Sequence, residues 1–281
     1  MPHIARYGRN VQLDELQALW GPIYQGTLQI LGTTGTIFPF GDPRQGQPDA
    51  TTFKTVGAEQ VTCTWSEAPA SFVAGLDLTS PDSFQGIIPF IDMNRTDVDE
   101  EADTPDIGYF SRDDSGTNPM SMAAWVNITH TATFRSILSK WLNGSNLNEW
   151  RFSIDASELL LLGLNDESAG ITIDRTSDDP VAIGSWINVV ATYDSAGGAS
   201  AANGVTLYVD GVEFDSTANN NGSYVAMENK TQVVMIGGHD GNANFVNYMA
   251  GACNGPWFTQ IELTADQVAQ IYLLQRGAMG V

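Results

Sequence analysis

The run Trp-Ile-Asn-Val-Val-Ala-Thr-Tyr-Asp at residues 186–194 leads into a loop of Gly, Ala and Ser, and Val-Thr-Leu-Tyr-Val-Asp-Gly-Val-Glu-Phe-Asp follows at residues 205–215. Apolar side chains recur at every second residue of both runs, which is the period of a β-strand. They are Ile187, Val189, Ala191 and Tyr193 in the first run, and Val205, Leu207 and Val209 in the second. Asp210-Gly211 then predicts a tight hairpin turn, because glycine readily adopts the positive φ that such a turn needs.

This pattern resembles that of the laminin-G-like, concanavalin A-like lectin/glucanase family. Domains of that family carry a Trp-His-Val-Ala-x-Thr-Tyr-Asp strand before a Leu-Tyr-Val-Asp-Gly hairpin, and here Asn188 replaces the histidine. The strand Ile137-Leu138-Ser139-Lys140 and the Leu-Thr-x-x-x-Val sequence that begins at Leu263 are similar to further family patterns. The resemblance covers about residues 84–281 and implies an antiparallel sandwich.

Periodicity along the rest of the chain agrees with an all-β fold. Many short alternating runs are separated by closely spaced turn signals, as in antiparallel jelly-roll sandwiches. Thr264-Ala265-Asp266-Gln267 is a capping box that predicts one C-terminal helix, ended by Gly277. A Pro- and Ser-rich connector at residues 66–83 predicts two parts: an N-terminal arm and small β region at 1–79, and a sandwich domain at 80–281.

Composition limits the classes of partner. The 281 residues include 33 acids and only 12 bases, which gives a formal net charge of −21. A polyanionic surface is repelled by nucleic acid and by anionic lipid, so we expect neither as a partner. The chain begins without a secretory pattern, and no apolar run approaches the ~20 residues of a membrane span.

The N-terminal arm differs in character from the remainder. Residues 11–20 have apolar side chains at spacings of three and four, which predicts a short amphipathic helix ended by Gly21-Pro22. Residues 27–41 are interpreted as short strands with turns. The arm either packs on its own sandwich or docks on a neighbouring subunit, with anchoring residues Arg6, Arg9, Leu13, Leu16 and Trp20.

Clustered acids make calcium the implied cofactor. Relatives in the resembled family often hold calcium at the sandwich rim, and a hard cation takes six to eight oxygen ligands. The candidate ligands are Asp97, Asp99, Glu101, Asp103 and Asp106 of an acidic loop, with Asp240 and Asn242 of another. The alternative is a solvated acidic face.

Catalysis is not expected. Residues 101–106 imitate the Glu-x-Asp-x-x-Glu strand of the resembled glucanases, but the last acid is Asp106, and Pro105 would break the ladder of a central strand. No hydrolase, metalloprotease, P-loop or dinucleotide motif is present.

Tryptophans offer a further binding chemistry. Trp125, Trp150 and Trp186 lie in predicted strands and are expected in the core. Trp141 and Trp257 lie beside loops rich in Asn and Gly and are the candidates for stacking on a sugar ring.

The whole chain also resembles virion components of marine tailed phages. Their Thr/Gly-rich N-terminal segment precedes a laminin-G-like domain with a similar Asp-Thr-Pro-Asp…Tyr-Phe-Ser-Arg stretch, found here at 103–106 and 109–112. This resemblance implies a non-catalytic structural protein of the virion, either a capsid-decorating or a fibre-like protein. Its partners would be further copies of itself or a capsid protein. Its sandwich domain would face outward and bind a glycan or a host surface. The alternatives are a carbohydrate-binding module or lectin, and a glycan hydrolase.

Overall fold

The computed structural model of the protein describes residues 21–38, 52–58, 62–65, 72–75, 88–92, 102–103, 109–114, 116–129, 134–142, 146–240, 245–247, 249 and 251–281. They form two antiparallel sheets packed as a sandwich, which confirms the predicted fold class. The strands are β1 (Thr36–Ile37), β2 (Thr52–Lys54), β3 (Val56–Gly57), β4 (Thr62–Trp65), β5 (Phe72–Gly75), β6 (Ile88–Asp92), β7 (Ala102–Asp103), β8 (Met120–Ile128), β9 (Arg135–Lys140), β10 (Trp150–Ile154), β11 (Leu160–Asp166), β12 (Ile171–Ser177), β13 (Trp186–Tyr193), β14 (Val205–Val209), β15 (Val212–Glu213), β16 (Ser216–Asn219), β17 (Met235–Ile236), β18 (His239–Asp240), β19 (Phe245–Val246) and β20 (Gly251–Thr259).

Among these residues each sheet has nine strands. The first sheet has the order β15-β14-β13-β8-β20-β1-β3, and β6 joins β20 to β5. The second sheet has the order β16-β12-β11-β10-β9-β17-β7-β4-β2, and β18 and β19 form a separate hairpin. The central strand of the first sheet, β8, pairs with β13 on one side and β20 on the other.

The predicted hairpin at 186–215 is present. Val209 pairs with Val212 across Asp210 and Gly211, which have φ of 51° and 78°. Two left-handed residues give the hairpin the twist that matches its strands. Gly211 is also constrained from outside, because a Cβ there would lie 2.8 Å from Cβ of Tyr272.

Alternating side chains of β8 enter two separate cores. Met122, Ala124 and Val126 lie in the core between the two sheets. Ala123 and Trp125 lie in a second core, between the first sheet and two helices. Both faces of the first sheet are therefore buried at its centre.

Helix α1 covers residues 21–31 and runs into a 3-10 turn at Gly32–Thr34, so the prediction of short strands from residue 27 was wrong for this part. Pro22 does not end a helix at this point, because the residues that follow it are helical up to Leu31. The helix forms because Ile23, Tyr24 and Leu31 bury against the sheet. The predicted helix at 11–20 and the anchoring residues Arg6, Arg9, Leu13, Leu16 and Trp20 lie outside the described residues.

The predicted division near residue 79 stays a prediction. Strands on both sides of it belong to the same sheets: Thr36 pairs with Phe258 in the first, and Thr64 with Asp103 in the second.

Helix α2 spans Ala265–Met279 and begins at the predicted capping box, with Thr264 accepting from the backbone N–H of Gln267 and the Gln267 side chain accepting from the N–H of Thr264. It ends at Gly280, which has φ of 77°, and not at Gly277 as predicted. The extra turn buries Ala278 and Met279. Neither helix in the described part of the chain is long and apolar enough to cross a lipid bilayer.

One hydrogen-bonded chain joins the first sheet to both helices. Trp125 Nε1 donates to Oε1 of Gln275 at 2.7 Å, and Nε2 of Gln275 donates to Oγ1 of Thr27 at 3.0 Å. All three side chains are buried, and the Trp125 ring stacks on that of Tyr272.

We expect Gln275→Met to lower the free energy of unfolding by roughly 2–4 kcal/mol, because it leaves one buried donor and one buried hydroxyl without partners at about 1–3 kcal/mol each. Gln270→Met is the matched control, since Gln270 is exposed on the same helix, and should change stability by less than about 0.5 kcal/mol. Urea denaturation of both variants measures the difference. Equal stability of the two would contradict this account of how the helices are held.

Candidate functional site

A polar cavity of about 270 Å³ opens at one rim of the sandwich. It lies where β8 begins and β20 ends, since Ser121 of β8 pairs with Thr259 of β20. Its walls come from four stretches that are far apart in sequence: Ser111, Arg112, Asp113, Asn118, Asn229 and Gln260.

Aromatic side chains fix the segment 109–112 that forms the cavity floor. Phe110 packs edge-on against Phe258, with ring centres 5.3 Å apart. Trp150 Nε1 donates to the carbonyl of Phe110 at 3.0 Å. The hydroxyl of Tyr109 donates to the carbonyl of Thr34. A segment without regular secondary structure is thereby held in one place, which preorganises the side chains that follow it.

Arg112 brings a cation to this floor. Its side chain is only 4% exposed, and its guanidinium lies 5.9 Å from the centre of the Phe258 ring. Nη2 donates to the carbonyl of Tyr109 at 2.5 Å, which is shared with Nε2 of Gln260 at 2.9 Å. Nε is buried without a hydrogen-bond partner. Burial lowers the pKa of Arg112, but an arginine remains charged near neutral pH.

Asp113 and Asn118 form the side wall. Nδ2 of Asn118 donates to Oδ1 of Asp113. The backbone N–H of Asn118 donates to Oγ of Ser195 at 3.1 Å, and that of Gly116 donates to the carbonyl of Ser195 at 2.8 Å. This wall is therefore tied to the loop after β13.

A buried ion pair lies behind the cavity. Lys140 Nζ is 2.6 Å from Oε1 of Glu149, and the two side chains are 1% and 0% exposed. The same Oε1 accepts from Oγ of Ser111 at 3.3 Å and from the backbone N–H of Lys230 at 2.7 Å. Glu149 thus connects two walls, since Ser111 lines the cavity and Lys230 follows Asn229. Burial raises the pKa of Glu149 to about 7, although Lys140 opposes the shift.

Asp114 holds the same segment from its other end. It accepts from the hydroxyl of Tyr224 and from the backbone N–H of Met227 at 2.9 Å. Burial raises the pKa of this carboxyl. The residues before Asn229 are thereby positioned against the segment that carries Arg112.

Neither tryptophan proposed for sugar stacking presents a free ring face. Trp257 is 1% exposed and lies in the core beneath the helices. Trp141 is 4% exposed and is covered by the guanidinium of Arg151, whose carbon lies 4.5 Å from the ring centre. In this structure both rings serve packing, as Trp125 and Trp150 do, whereas Trp186 is half-buried.

The predicted calcium ligands fall largely outside the described residues. This holds for Asp97, Asp99, Glu101, Asp106 and Asn242 entirely, and for the side chains of Asp103 and Asp240. The backbone does bring the two predicted stretches close along the fold, because Asp103 of β7 pairs with Met235 of β17 and β18 with Asp240 follows. No group of three His, Cys, Asp or Glu side chains within the described ranges is arranged to hold a metal.

The cavity residues were not predicted as a site. The stretch Tyr109–Arg112 forms part of a family resemblance but of no binding motif, and Asn118, Asn229 and Gln260 lie in no recognisable local pattern. One signal was available: an arginine beside aromatic residues in a chain with only 12 bases.

Glu149 gives the folded protein a pH dependence that can be measured. Its pKa of about 7 exceeds the ordinary 4.5, so the stability that it contributes is fully present below pH 4.5 and is lost as the pH rises through 7. Relative to E149Q, the wild-type free energy of unfolding should fall by up to about 3 kcal/mol over this range, because one pKa unit corresponds to about 1.4 kcal/mol.

Urea denaturation at a series of pH values tests this expectation. The double variant K140M/E149Q is the second reference, because it leaves no buried lysine opposite a neutral group. Parallel pH profiles for wild type and both variants would show that Glu149 does not titrate in this range.

The comparisons with known proteins agree with the architecture. Solved structures similar to this chain include the binding domain of Paraclostridial Mosquitocidal Protein 1, with a TM-score of 0.54 and 11% identity, covering 85% of this chain and 51% of that one. The botulinum neurotoxin serotype G binding domain has a TM-score of 0.53 and 13% identity, covering 86% of this chain and 51% of that one. The botulinum neurotoxin serotype D ligand binding domain in complex with N-acetylneuraminic acid has a TM-score of 0.55 and 11% identity, covering 89% of this chain and 53% of that one. At these identities the likeness concerns the fold alone, and the chain spans about half the length of these structures. No curated protein matched the chain.

A laminin-G-type family model matches residues 101–269, which is more than half of the chain. This stretch contains β8 to β20, the hairpin at 186–215 and all six residues that line the cavity. The chain therefore belongs to the concanavalin A-like lectin/glucanases superfamily.

Proposed function

We propose that the protein is a non-catalytic glycan-binding protein and that the rim cavity is its binding site. The observation that carries this proposal is a preformed polar cavity with a buried arginine on its floor. Ligand pockets commonly combine a shaped cavity with a few fixed polar groups.

The lining suits a polyhydroxylated ligand. Asn118, Asn229 and Gln260 offer amide donors and acceptors, Ser111 a hydroxyl, and Arg112 and Asp113 one charge of each sign. A volume of about 270 Å³ is at the small end of ligand pockets, which favours one sugar unit over a buried chain. The serotype D toxin domain with N-acetylneuraminic acid supports the proposal, because its fold is similar to that of this chain.

Binding without hydrolysis is favoured by the carboxyl groups. Glycoside hydrolysis usually requires two carboxyl groups that flank the scissile bond. Among the described lining residues Asp113 is the one carboxylate, and Asn118 already donates to it. Glu149 lies behind the wall, with 0% exposure.

The proposal includes calcium, bound by the acidic stretches of the chain. The acidic loop at 97–106 and the stretch with Asp240 and Asn242 would supply its ligands, supported by the pairing of β7 with β17 just before β18. Oxygen ligands from two loops are typical of calcium sites.

A glycan array with wild type, Asn229→Ala and Asn219→Ala tests the site. Asn229 is exposed at the cavity, whereas Asn219 is exposed on β16 and does not line it. We expect Asn229→Ala to weaken binding by about tenfold, since hydrogen bonds to a ligand typically contribute about 1 kcal/mol or more each, and Asn219→Ala to bind as wild type. The array is repeated with a chelator, which should weaken binding if calcium orders the rim.

Binding of no glycan above background, or equal binding by both variants, would reject the cavity as a glycan site. Unchanged binding in chelator, with no calcium uptake by calorimetry, would remove calcium from the proposal. A reducing-sugar assay on bound glycans should detect no product.

We further propose that the protein is a structural component of a virion, in capsid decoration or a fibre, that assembles with its own copies or a capsid protein. The resemblance of residues 103–112 and the Thr/Gly-rich N-terminal segment supports this role. The anchoring part is assigned to residues 1–20, because Ile23 and Tyr24 of α1 are already buried in the second core and belong to the folded domain.

Removal of residues 1–20 should leave the sandwich folded and abolish self-association or incorporation into particles. The cut must precede Gly21, because loss of Ile23 and Tyr24 would open the second core. Sedimentation velocity and circular dichroism measure the two effects separately. Undiminished assembly of the folded truncation would argue against the arm as the anchor.

A further inference from the structure

The buried basic side chains of the described residues differ in whether they form an ion pair. Three basic side chains of the described chain are buried: Arg112, Arg135 and Lys140. Arg135 forms an ion pair with Glu158, and Lys140 forms one with Glu149. Arg112 forms an ion pair with no carboxylate among the described residues, and it is the one of the three that lines the cavity.

We propose that the cavity takes an acidic sugar, whose anionic group pairs with Arg112, and that it binds this sugar more tightly when Glu149 carries a proton. The proposal rests on the proposed glycan-binding function and deepens it. It adds a ligand charge and a proton linkage at the same site.

The anionic group follows from the state of Arg112. A buried charge is costly unless it is paired. The guanidinium contacts a carbonyl oxygen and an aromatic ring, whereas the carboxylates of Asp113 and Glu149 act on it only through space, beyond ion-pair distance. Nε has no hydrogen-bond partner. Carboxylate and sulfate groups match the guanidinium edge with charge-assisted hydrogen bonds, which are roughly twice as strong as neutral ones.

The groups around Glu149 determine which of its carboxyl oxygens takes up a proton and which charges respond to it. Lys140 faces it from β9, Ser111 and Arg112 from the cavity floor, and the backbone of Lys230 from the loop before β17. The Lys230 side chain is paired with Glu228, and Glu167 is engaged by the backbone of Asn148. Oε1 of Glu149 accepts three hydrogen bonds, whereas Oε2 is buried with none, so the proton goes to Oε2.

Protonation changes the charge that a ligand meets. With Glu149 ionised, Arg112 and Lys140 are balanced by Asp113 and Glu149. With Glu149 neutral, the same four groups carry one net positive charge. An anion bound at Arg112 makes ionised Glu149 less favourable, so binding is coupled to proton uptake. The pKa of Glu149, raised to about 7 by burial, places this coupling near neutral pH.

Calorimetry with matched sugar pairs tests the proposal on the full chain. The probes are N-acetylneuraminic acid, glucuronic acid and galactose 6-sulfate, each beside its neutral counterpart: the two methyl esters and galactose. We expect at least one acidic probe to bind about tenfold or more tightly than its counterpart at pH 6, the gain of a charge-assisted pair. Affinity for that probe should fall several-fold from pH 6 to pH 8, while the neutral counterpart shows no such trend. The sugar's own acid group stays ionised throughout this range.

Two variants separate the roles. Arg112→Gln should remove the preference for the acidic probe, and Glu149→Gln should keep that preference while abolishing its pH dependence. K140M/E149Q repeats the second measurement without an unpaired buried lysine, should Glu149→Gln fold poorly.

The outcomes distinguish this proposal from the one on which it rests. Glycan binding that ignores the acid group, or a pH dependence that survives both Glu149 variants, overturns the present proposal and leaves glycan binding standing. If the array and all probes show no binding, glycan binding itself is rejected and this proposal with it.

Discussion

The first sheet must be covered on both faces, and the structure depends on how this is done. Side chains of β8 alternate between the core that the two sheets share and the core under α1 and α2. The outer face carries Trp125, whose indole N–H needs a partner once the ring is buried. Gln275 supplies that partner and passes the connection on to Thr27. The buried amide of Gln275 thus positions both helices. Its hydrogen bond joins α2 to Thr27 of α1, a residue 248 positions earlier in the chain.

Covering both faces determines where a ligand can bind. The inter-sheet core is filled by large side chains such as Trp150 and Phe258, and the outer face of the first sheet lies under the helices. The strand ends remain, where the chain leaves the ladder and its polar groups meet water. The segment 109–114 crosses that rim, anchored by Phe110 on the core side and by Asp114 on the other. Arg112 lies between these two anchors, so the packing of the core positions its guanidinium at the cavity.

Local patterns in the sequence were sufficient for the scaffold and insufficient for the site. Alternation at 121–128 and 186–193, the Asp210-Gly211 turn and the Thr264 capping box each depend on neighbouring residues, and each was predicted correctly. Helix α1 was missed because its Thr and Gly content favours strands and turns locally, and only packing on the sheet overrides that preference. The cavity joins residues from 111 to 260. The burial of Trp141 and Trp257 could not be predicted for the same reason, since adjacent polar loops do not reveal what covers a ring.

The distribution of charge links the acidic composition to the site. The chain has 33 acids and 12 bases, and this net negative charge keeps the protein soluble. The electrostatic field of the net charge repels anions at long range. Screening confines that field to about 8–10 Å at physiological salt, whereas buried charges act on each other with less screening. An acidic ligand at the rim would therefore be governed by Arg112 and its neighbours more than by the net charge. Glu149 is the neighbour whose charge can change near neutral pH, because burial raises its pKa to about 7 although Lys140 opposes the shift. The pair that stabilises the wall of the cavity is thus also the pair through which pH acts on it.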